Sequence, residues 1–258
     1  MRFKTVLLLC ILLAGKVAFT QNYHHNVFWL RVALADTINK NTKLELFLQK
    51  RTQSTVLERA NPFKSDQFSS IWFWVNFTLS KTSKFSVSPI GYFESHVLNT
   101  KISDENIPPV KEYRFSVRYT NDQKGKIVNF SNRYSLEYRL RDLQYNGVYQ
   151  PNFRFRYMAK LEKPVYGIFS KDRPVTFELN DEVFLQFGKA VHNNANVFDQ
   201  NRLYAGFSYE VVKNFKTSLG YIYNFQERKS GDEFDNSNIF WVVLTFDNLI
   251  SQFLHKKH

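Results

Sequence analysis

Residues 152–161 read Asn-Phe-Arg-Phe-Arg-Tyr-Met-Ala-Lys-Leu. Phe153, Phe155, Tyr157, Ala159 and Leu161 take every second position, and Asn152, Arg154, Arg156, Met158 and Lys160 take those between. Successive side chains of a strand point to opposite faces, so this ribbon has one apolar side and one largely charged side. Similar ribbons recur along the chain, and that repetition limits the fold to an antiparallel sandwich or a barrel.

Eleven such segments are legible. The first two are Val27–Ala35, with Phe28, Leu30, Val32 and Leu34 on one side, and Lys43–Arg51, with Leu44, Leu46 and Leu48 opposite Glu45, Gln49 and Arg51. In Ser70–Leu79, Ile71, Phe73, Val75, Phe77 and Leu79 oppose Trp72, Trp74, Asn76 and Thr78. Lys84–Ser95 follows, and then Lys111–Tyr119, where Tyr113, Phe115, Val117 and Tyr119 face away from Glu112, Arg114, Ser116 and Arg118. The longest is Ile127–Arg141, which sets Val128, Phe130, Tyr134, Leu136, Tyr138 and Leu140 against Asn129, Ser131, Arg133, Ser135, Glu137, Arg139 and Arg141. Residues 152–161 are the seventh, and Val175–Phe187, Arg202–Val211, Lys216–Arg228 and Asn238–Thr245 complete the set. Single-chain bacterial outer-membrane barrels have an even number of strands, so the expected count is twelve, with ten as the alternative. Asn132 and Asp181 fall on apolar faces, and a bulge near Asn180–Asp181 is expected to re-aim the carboxylate.

Connections alternate in length. Short ones fall near Asp36–Thr42, Ser80–Ser83, Thr120–Gly125 and Lys213–Asn214; longer polar ones span 52–69, 96–110, 142–150, 188–201 and 229–237. Membrane barrels have short periplasmic turns and longer external loops. Segment 162–174, with Pro164, Gly167 and Pro174, departs from the pattern as a long turn or a concealed strand.

Met1–Thr20 has the make-up of an export signal: Arg2 and Lys4, an apolar run Val6–Ala14, then Ala18-Phe19-Thr20 before Gln21. That run is far short of the roughly 20 residues that span a bilayer as a helix. Cys10 sits in mid-run behind Leu7-Leu8-Leu9, which does not suit a lipoprotein. Removing the segment takes away the only cysteine, so disulfide and thiol chemistry go with it. Arg2, Lys4 and Lys16 leave too: 35 basic residues become 32 against 23 acidic ones, and the net charge falls from +12 to +9. Residues 21–248 then form one barrel domain and 249–258 a short polar tail. An exported chain with cations spread along strand faces is no nucleic-acid binder; the expected partners are outer-membrane lipid and lipopolysaccharide, and the barrel-insertion machinery during biogenesis.

Alternation alone does not say which face is inside, because a soluble sandwich also alternates. Three features favour lipid outside. One is the export signal. Another is the richness in aromatics, 26 Phe and 14 Tyr, many near strand ends (Phe28, Phe93, Tyr113, Tyr119, Tyr138, Phe153, Phe187, Tyr209, Phe225 and Phe246). The last is segment length, often nine residues or more, as a tilted membrane strand needs. The reading is an all-β, antiparallel up-and-down transmembrane β-barrel of the Gram-negative outer membrane, porin-like, with a polar lumen. Turning its charges to lipid would cost about 2–4 kcal/mol for each Arg or Lys at mid-membrane. Arg31, Arg51, Arg114, Arg118, Arg133, Arg139, Arg154, Arg156 and Arg202 therefore line the interior, with Glu45, Glu94, Glu112, Glu137, Glu178, Glu182 and Glu210. Such a set forms an ion-pair network that holds strands in register, or a water path with a mild anion preference.

Val197-Phe198-Asp199-Gln200-Asn201-Arg202-Leu203-Tyr204-Ala205-Gly206, Leu219-Gly220-Tyr221-Ile222-Tyr223, Asn132-Arg133-Tyr134-Ser135-Leu136-Glu137-Tyr138-Arg139 and Asn180-Asp181-Glu182-Val183-Phe184-Leu185 together resemble the domain-of-unknown-function 2490 family of bacterial outer-membrane proteins, over about residues 24–247. The resemblance implies a membrane barrel and no established activity. Its matching polar positions here are Arg133, Glu137, Glu182, Asp199, Gln200, Asn201 and Arg202. Arg133 and Glu137 lie about 13 Å apart along one face, so each pairs with neighbouring strands. Asp199, Gln200 and Asn201 sit where a long loop becomes a strand, as a rim cap or a ligand contact.

No nucleophile elbow, zinc-protease helix, phosphate loop or dinucleotide fingerprint is present in the sequence. His24-His25 is no metal pair, since neighbours on an extended chain point opposite ways. A triad at the rim would have to draw on His96 with Ser95, or His192 with Asn193 and Asn194. No enzyme, cofactor or metal is expected. The expected role is a structural barrel or a narrow small-solute pore with an Arg/Glu-lined lumen. The alternatives are a lipid-modifying outer-membrane enzyme and a soluble exported β-sandwich that binds a ligand. The tail ends His-Lys-Lys-His, which leaves Phe246 or Phe253 as the terminal aromatic signal.

Overall fold

The computed structural model describes residues 21–254, with side chains to residue 252. Residues 1–20, on which the expected export signal falls, the Phe253 and Leu254 side chains and the last four residues lie outside the described residues. Eleven strands follow one another: β1 (Gln21–Asn39), β2 (Thr42–Gln53), β3 (Ser65–Thr78), β4 (Ser83–Ser95), β5 (Val110–Gln123), β6 (Asn129–Asp142), β7 (Gln150–Val165), β8 (Val175–Phe187), β9 (Phe198–Val212), β10 (Phe215–Glu227) and β11 (Glu233–Phe246). Each pairs with its chain neighbours, and β1 joins β11 to close the barrel.

The strand count is eleven, neither twelve nor ten. Evenness is required only if every seam is antiparallel. Here β1 and β11 run parallel, in register from Gln21↔Glu233 to Leu34↔Phe246, and a parallel seam closes an odd set. Segment 162–174 holds no further strand: β7 runs on to Val165, paired with β8, and the connection is 166–174. The connections 54–64, 96–109, 143–149, 188–197 and 228–232 gather at one rim, here the loop rim. The remaining connections lie at the opposite, turn rim. Beyond β11, a helical turn Ser251–Leu254 is tied to β1 by Asp36, whose carboxylate accepts from the Ile250 and Ser251 amides.

The apolar side of each ribbon faces outward. Ile71, Phe115, Leu136, Leu179, Tyr221 and Phe240, from six strands, are all exposed, whereas Glu112, Arg114, Glu137, Arg154 and Glu182 are buried inside. A soluble sandwich is thereby excluded, since it would turn these faces the other way. The interior is not wholly polar. Val27, Trp29, Tyr204, Ile222 and Ile239 cluster on one part of the wall, and Trp72, Trp74 and Phe93 on another.

Two bulges revise the expected faces. Between Ser88 and Gly91, β4 carries one residue more than β3 or β5. Pro89 lies there, and it has no N–H for the ladder. The extra residue reverses the alternation, so Phe93 is buried inside and is no outer-girdle aromatic. Glu94 consequently leaves the lumen face and accepts from Tyr92 Oη at 2.6 Å. The bulge expected at Asn180–Asp181 is absent: β8 pairs without a break from Val175 to Phe184 on β9. The shift lies further on, where Phe184 pairs with Gln200 but Leu185 with Phe198, leaving Asp199 as the extra residue. Asp181 stays on the outer face at the middle of β8, exposed, and accepts from Asn201 Nδ2 at 2.6 Å. Asn132, also on the outer face, accepts from Tyr157 Oη at 2.7 Å.

Candidate functional site

Inward positions on β5, β6, β7 and β8 place three carboxylates among six arginines. Register decides the pairing: Glu137 is opposite Arg154, and Ser135 opposite Arg156. Glu137, fully buried, accepts from Arg154 Nε at 2.8 Å and Arg156 Nη1 at 2.7 Å, with Arg114 Nη1 at 3.3 Å. Glu182 accepts from Arg156 Nε at 3.0 Å and Arg133 Nη2 at 2.8 Å. Arg139 grips Glu112 as a fork, Nε to Oε1 at 2.8 Å and Nη2 to Oε2 at 2.7 Å. Arg114 also holds Glu112, and Arg141 Nε lies 3.6 Å from it. Arg139, Glu112, Arg114, Glu137, Arg156, Glu182 and Arg133 thus form one unbroken ionic chain around the wall. Bidentate guanidinium–carboxylate pairs are both strong and directional, so the chain stiffens this half of the barrel.

The expected site residues divide accordingly. Arg133, Glu137, Arg139, Arg154, Arg156 and Glu182 come together in this network. Glu178 stays out of it and accepts from Asn180 Nδ2 at 2.6 Å. The rim motif splits. Because Asp199 is the bulged residue, it and Gln200 are both buried: Asp199 meets Arg154 Nη1 at 3.4 Å and Gln186 Nε2 at 3.2 Å. Asn201 turns outward to Asp181. Arg202 has no carboxylate partner among the described residues; it donates to Asn224 and Gln200, each at 3.2 Å, and lies over Trp29 and Phe184.

Stacking on interior aromatics is what the charge pattern alone concealed. Arg51 lies 3.7 Å from the Trp29 ring centre, Arg114 3.8 Å from Phe93, and Arg118 4.0 Å from Trp74. Cation–π contacts gain strength when the cation is desolvated. The signal for them was Trp72 and Trp74 on the polar side of their ribbon.

Above the network, a cavity of about 790 Å³ opens towards the loop rim. Eleven Lys or Arg side chains line it against five Asp or Glu. Glu137 and Glu182 lie just behind the lining, and counting them still leaves an excess of four cations. Trp72 and Arg114 line this vestibule, but the inward residues below them, Trp74, Ser116 and Arg118, do not. Trp74, Ser116, Glu137 and Phe184 are fully buried and make a packed waist.

The loops supply the rest of the mouth. The turn Ile102–Asn106 is held by Asp104, which accepts from the amides of Thr100 at 2.9 Å and Lys101 at 2.8 Å and from the Thr100 hydroxyl at 2.8 Å. Partial burial pushes this carboxyl up, but those bonds and the Lys101 charge outweigh it and hold it below the usual aspartate value. His96 and His192 both line the vestibule. His192 Nδ1 lies 2.7 Å from the Lys189 carbonyl, and neither ring bonds a serine or carboxylate among the described residues. His25 is buried against Asp235 at 2.8 Å, and His24 points outward. Among the described residues no cluster of three metal-ligating side chains occurs.

A family model described as "Protein of unknown function (DUF2490)" matches residues 26–235, most of the barrel. The chain belongs to this family. None of the curated proteins matches the sequence. Among solved structures the barrel is similar to a protein titled "Bacterial polysaccharide outer membrane secretin", at 12% identity and a TM-score of 0.48, with 81% of this chain covering 64% of that one. It is also similar to one titled "NanC porin structure in rhombohedral crystal form", at 12% identity and a TM-score of 0.45, covering 84% and 98% of the respective chains. This DUF2490 chain spans just under two thirds of the first of these proteins.

Proposed function

We propose that the protein is an outer-membrane barrel that admits small solutes at its loop rim and passes them through a narrow, normally constricted pore. The observation that carries the membrane setting is the outward face. Large apolar side chains from six strands are exposed around a closed barrel while the charges converge inside. A continuous apolar surface of this kind marks a membrane or partner contact. The vestibule above the waist carries the pore reading.

The membrane setting makes Asp181 informative. A carboxylate on the lipid face costs free energy, though less than the 2–4 kcal/mol or so of a mid-membrane Arg. The double variant Asp181→Leu/Asn201→Leu removes the carboxylate together with the amide that bonds it. Refolded into phosphatidylcholine vesicles, it should resist urea better than the parent, by about 1–2 kcal/mol. An unchanged or lower midpoint would count against lipid at that position.

The waist makes Trp74 the test of permeation. Trp74→Ala removes a fully buried indole beside Arg118. In planar bilayers the parent should give small conductance steps and the variant clearly larger ones. Silence from both proteins would leave a purely structural barrel, the reading that the packed ionic waist supports.

A further inference from the structure

Three arginines that face the vestibule stand apart from the six that surround Glu112, Glu137 and Glu182. Arg31, Arg51 and Arg202 line the cavity, and no carboxylate lies within ion-pair distance of any of them among the described residues. Arg31 donates only to Gln49 Oε1, at 3.0 Å. The Arg51 side chain makes no hydrogen bond among the described residues, and its buried Nε has no partner. Its guanidinium lies against two rings, Trp29 at 3.7 Å and Phe68 at 4.0 Å. Arg202 lies over the same Trp29 at 5.0 Å. Gln49, nine-tenths buried on the same lining, keeps its Nε2 donor free of any partner among the described residues.

This arrangement is costly unless something completes it. Like charges gathered in a partly desolvated space repel one another, and an unpartnered buried donor forfeits the hydrogen bonds it had in water. Rings stacked on the guanidinium leave its in-plane N–H edge as the route to a hydrogen-bond acceptor. That edge matches a planar or tetrahedral oxyanion, which it grips with two parallel bonds. The Gln49 amide adds a neutral donor, and Arg31 and Arg202 add charge.

We propose that Arg51, flanked by Arg31, Arg202 and Gln49, binds the oxyanion group of a small solute, a carboxylate or a phosphate, at the wall of the vestibule. The proposal rests on the solute-uptake reading for its purpose, but binding at this wall does not require that the waist ever open. The cavity has room for a solute of ordinary metabolite size, within the usual range for ligand sites.

The test is calorimetric titration of the full chain in neutral detergent with inorganic phosphate and, separately, with succinate. At least one of the two anions should bind, and which one binds distinguishes phosphate from carboxylate recognition. Arg51→Gln should weaken that binding about tenfold or more, the worth of a charge-assisted hydrogen bond. Arg118→Gln is the control. That guanidinium also stacks on an indole and has no acidic partner among the described residues, but it does not line the cavity, so binding should be unchanged. Thermal melting of both variants establishes that they fold. The proposal is overturned if the parent binds neither anion, if Arg51→Gln binds like the parent, or if Arg118→Gln loses as much. Binding without conductance would sink the pore and spare this site; conductance without binding would do the reverse.

Discussion

Glu137→Leu should destabilise the barrel by about 3–5 kcal/mol, the usual cost of removing one partner from a buried ion cluster. Glu137 is fully buried and meets Arg114, Arg154 and Arg156 at once. Taking it away leaves three guanidiniums facing one another, Arg114 still held by Glu112, Arg156 by Glu182 and Arg154 only by Asp199 at 3.4 Å. Leucine has similar bulk, so lost volume contributes little and the deficit measures charge. Urea unfolding in vesicles reads the effect as a lowered midpoint. Glu137→Gln, which keeps an acceptor but no charge, should fall between. A leucine variant as stable as the parent would mean that lumen water and ions neutralise these arginines unaided, and that the ionic chain does not hold the wall.

The second large effect is expected at a glycine pair. Gly206 and Gly220 face each other across β9 and β10, and the buried Tyr204 ring lies over both. A Cβ built on either glycine would overlap that ring. An aromatic covering a strand glycine in this way is a known device for pinning register. Tyr204 in turn meets Trp241 edge-on, with ring centres 5.5 Å apart. Gly220→Ala should therefore expel the ring and cost about 1–3 kcal/mol, as overpacking does. Combined with Tyr204→Ala, the added methyl should cost much less than it does alone, a non-additivity that a double-mutant cycle reads directly. Simple addition of the two losses would show that ring and glycine do not meet.

The legible and the hidden parts of this molecule differ in physical kind. Period-two alternation is local, so Val27–Ala35, Lys111–Tyr119 and Ile127–Arg141 could be read as strands with the correct faces outward. That also placed Arg133, Glu137, Arg154 and Arg156 inside. Who pairs with whom depends on register between strands, which no single segment encodes; Glu178 has the right parity, yet its neighbour is Asn180. Bulges are the other gap. One extra residue inverts every face beyond it, so Phe93 and Glu94 were misplaced by a kink at Pro89, and Asp199 turned inward from an expected rim. The odd strand count had a similar origin. Evenness is a habit of hairpin-built barrels, and a parallel seam needs no local signal. Interior aromatics were visible as tryptophans on a polar ribbon, but their role as platforms for arginine emerges only once the wall has closed.

The β1–β11 seam also constrains how the molecule can be re-engineered. In an up-and-down barrel of even count, a two-residue turn would link the last strand to the first, and new termini could be opened at any hairpin. Here Phe246 and Gln21 lie at opposite rims, and side-by-side parallel strands need a crossover of about a dozen residues or more. A permuted version would have to run that crossover through the vestibule or along the apolar exterior. Either route would sacrifice one of the two surfaces on which the proposed function depends.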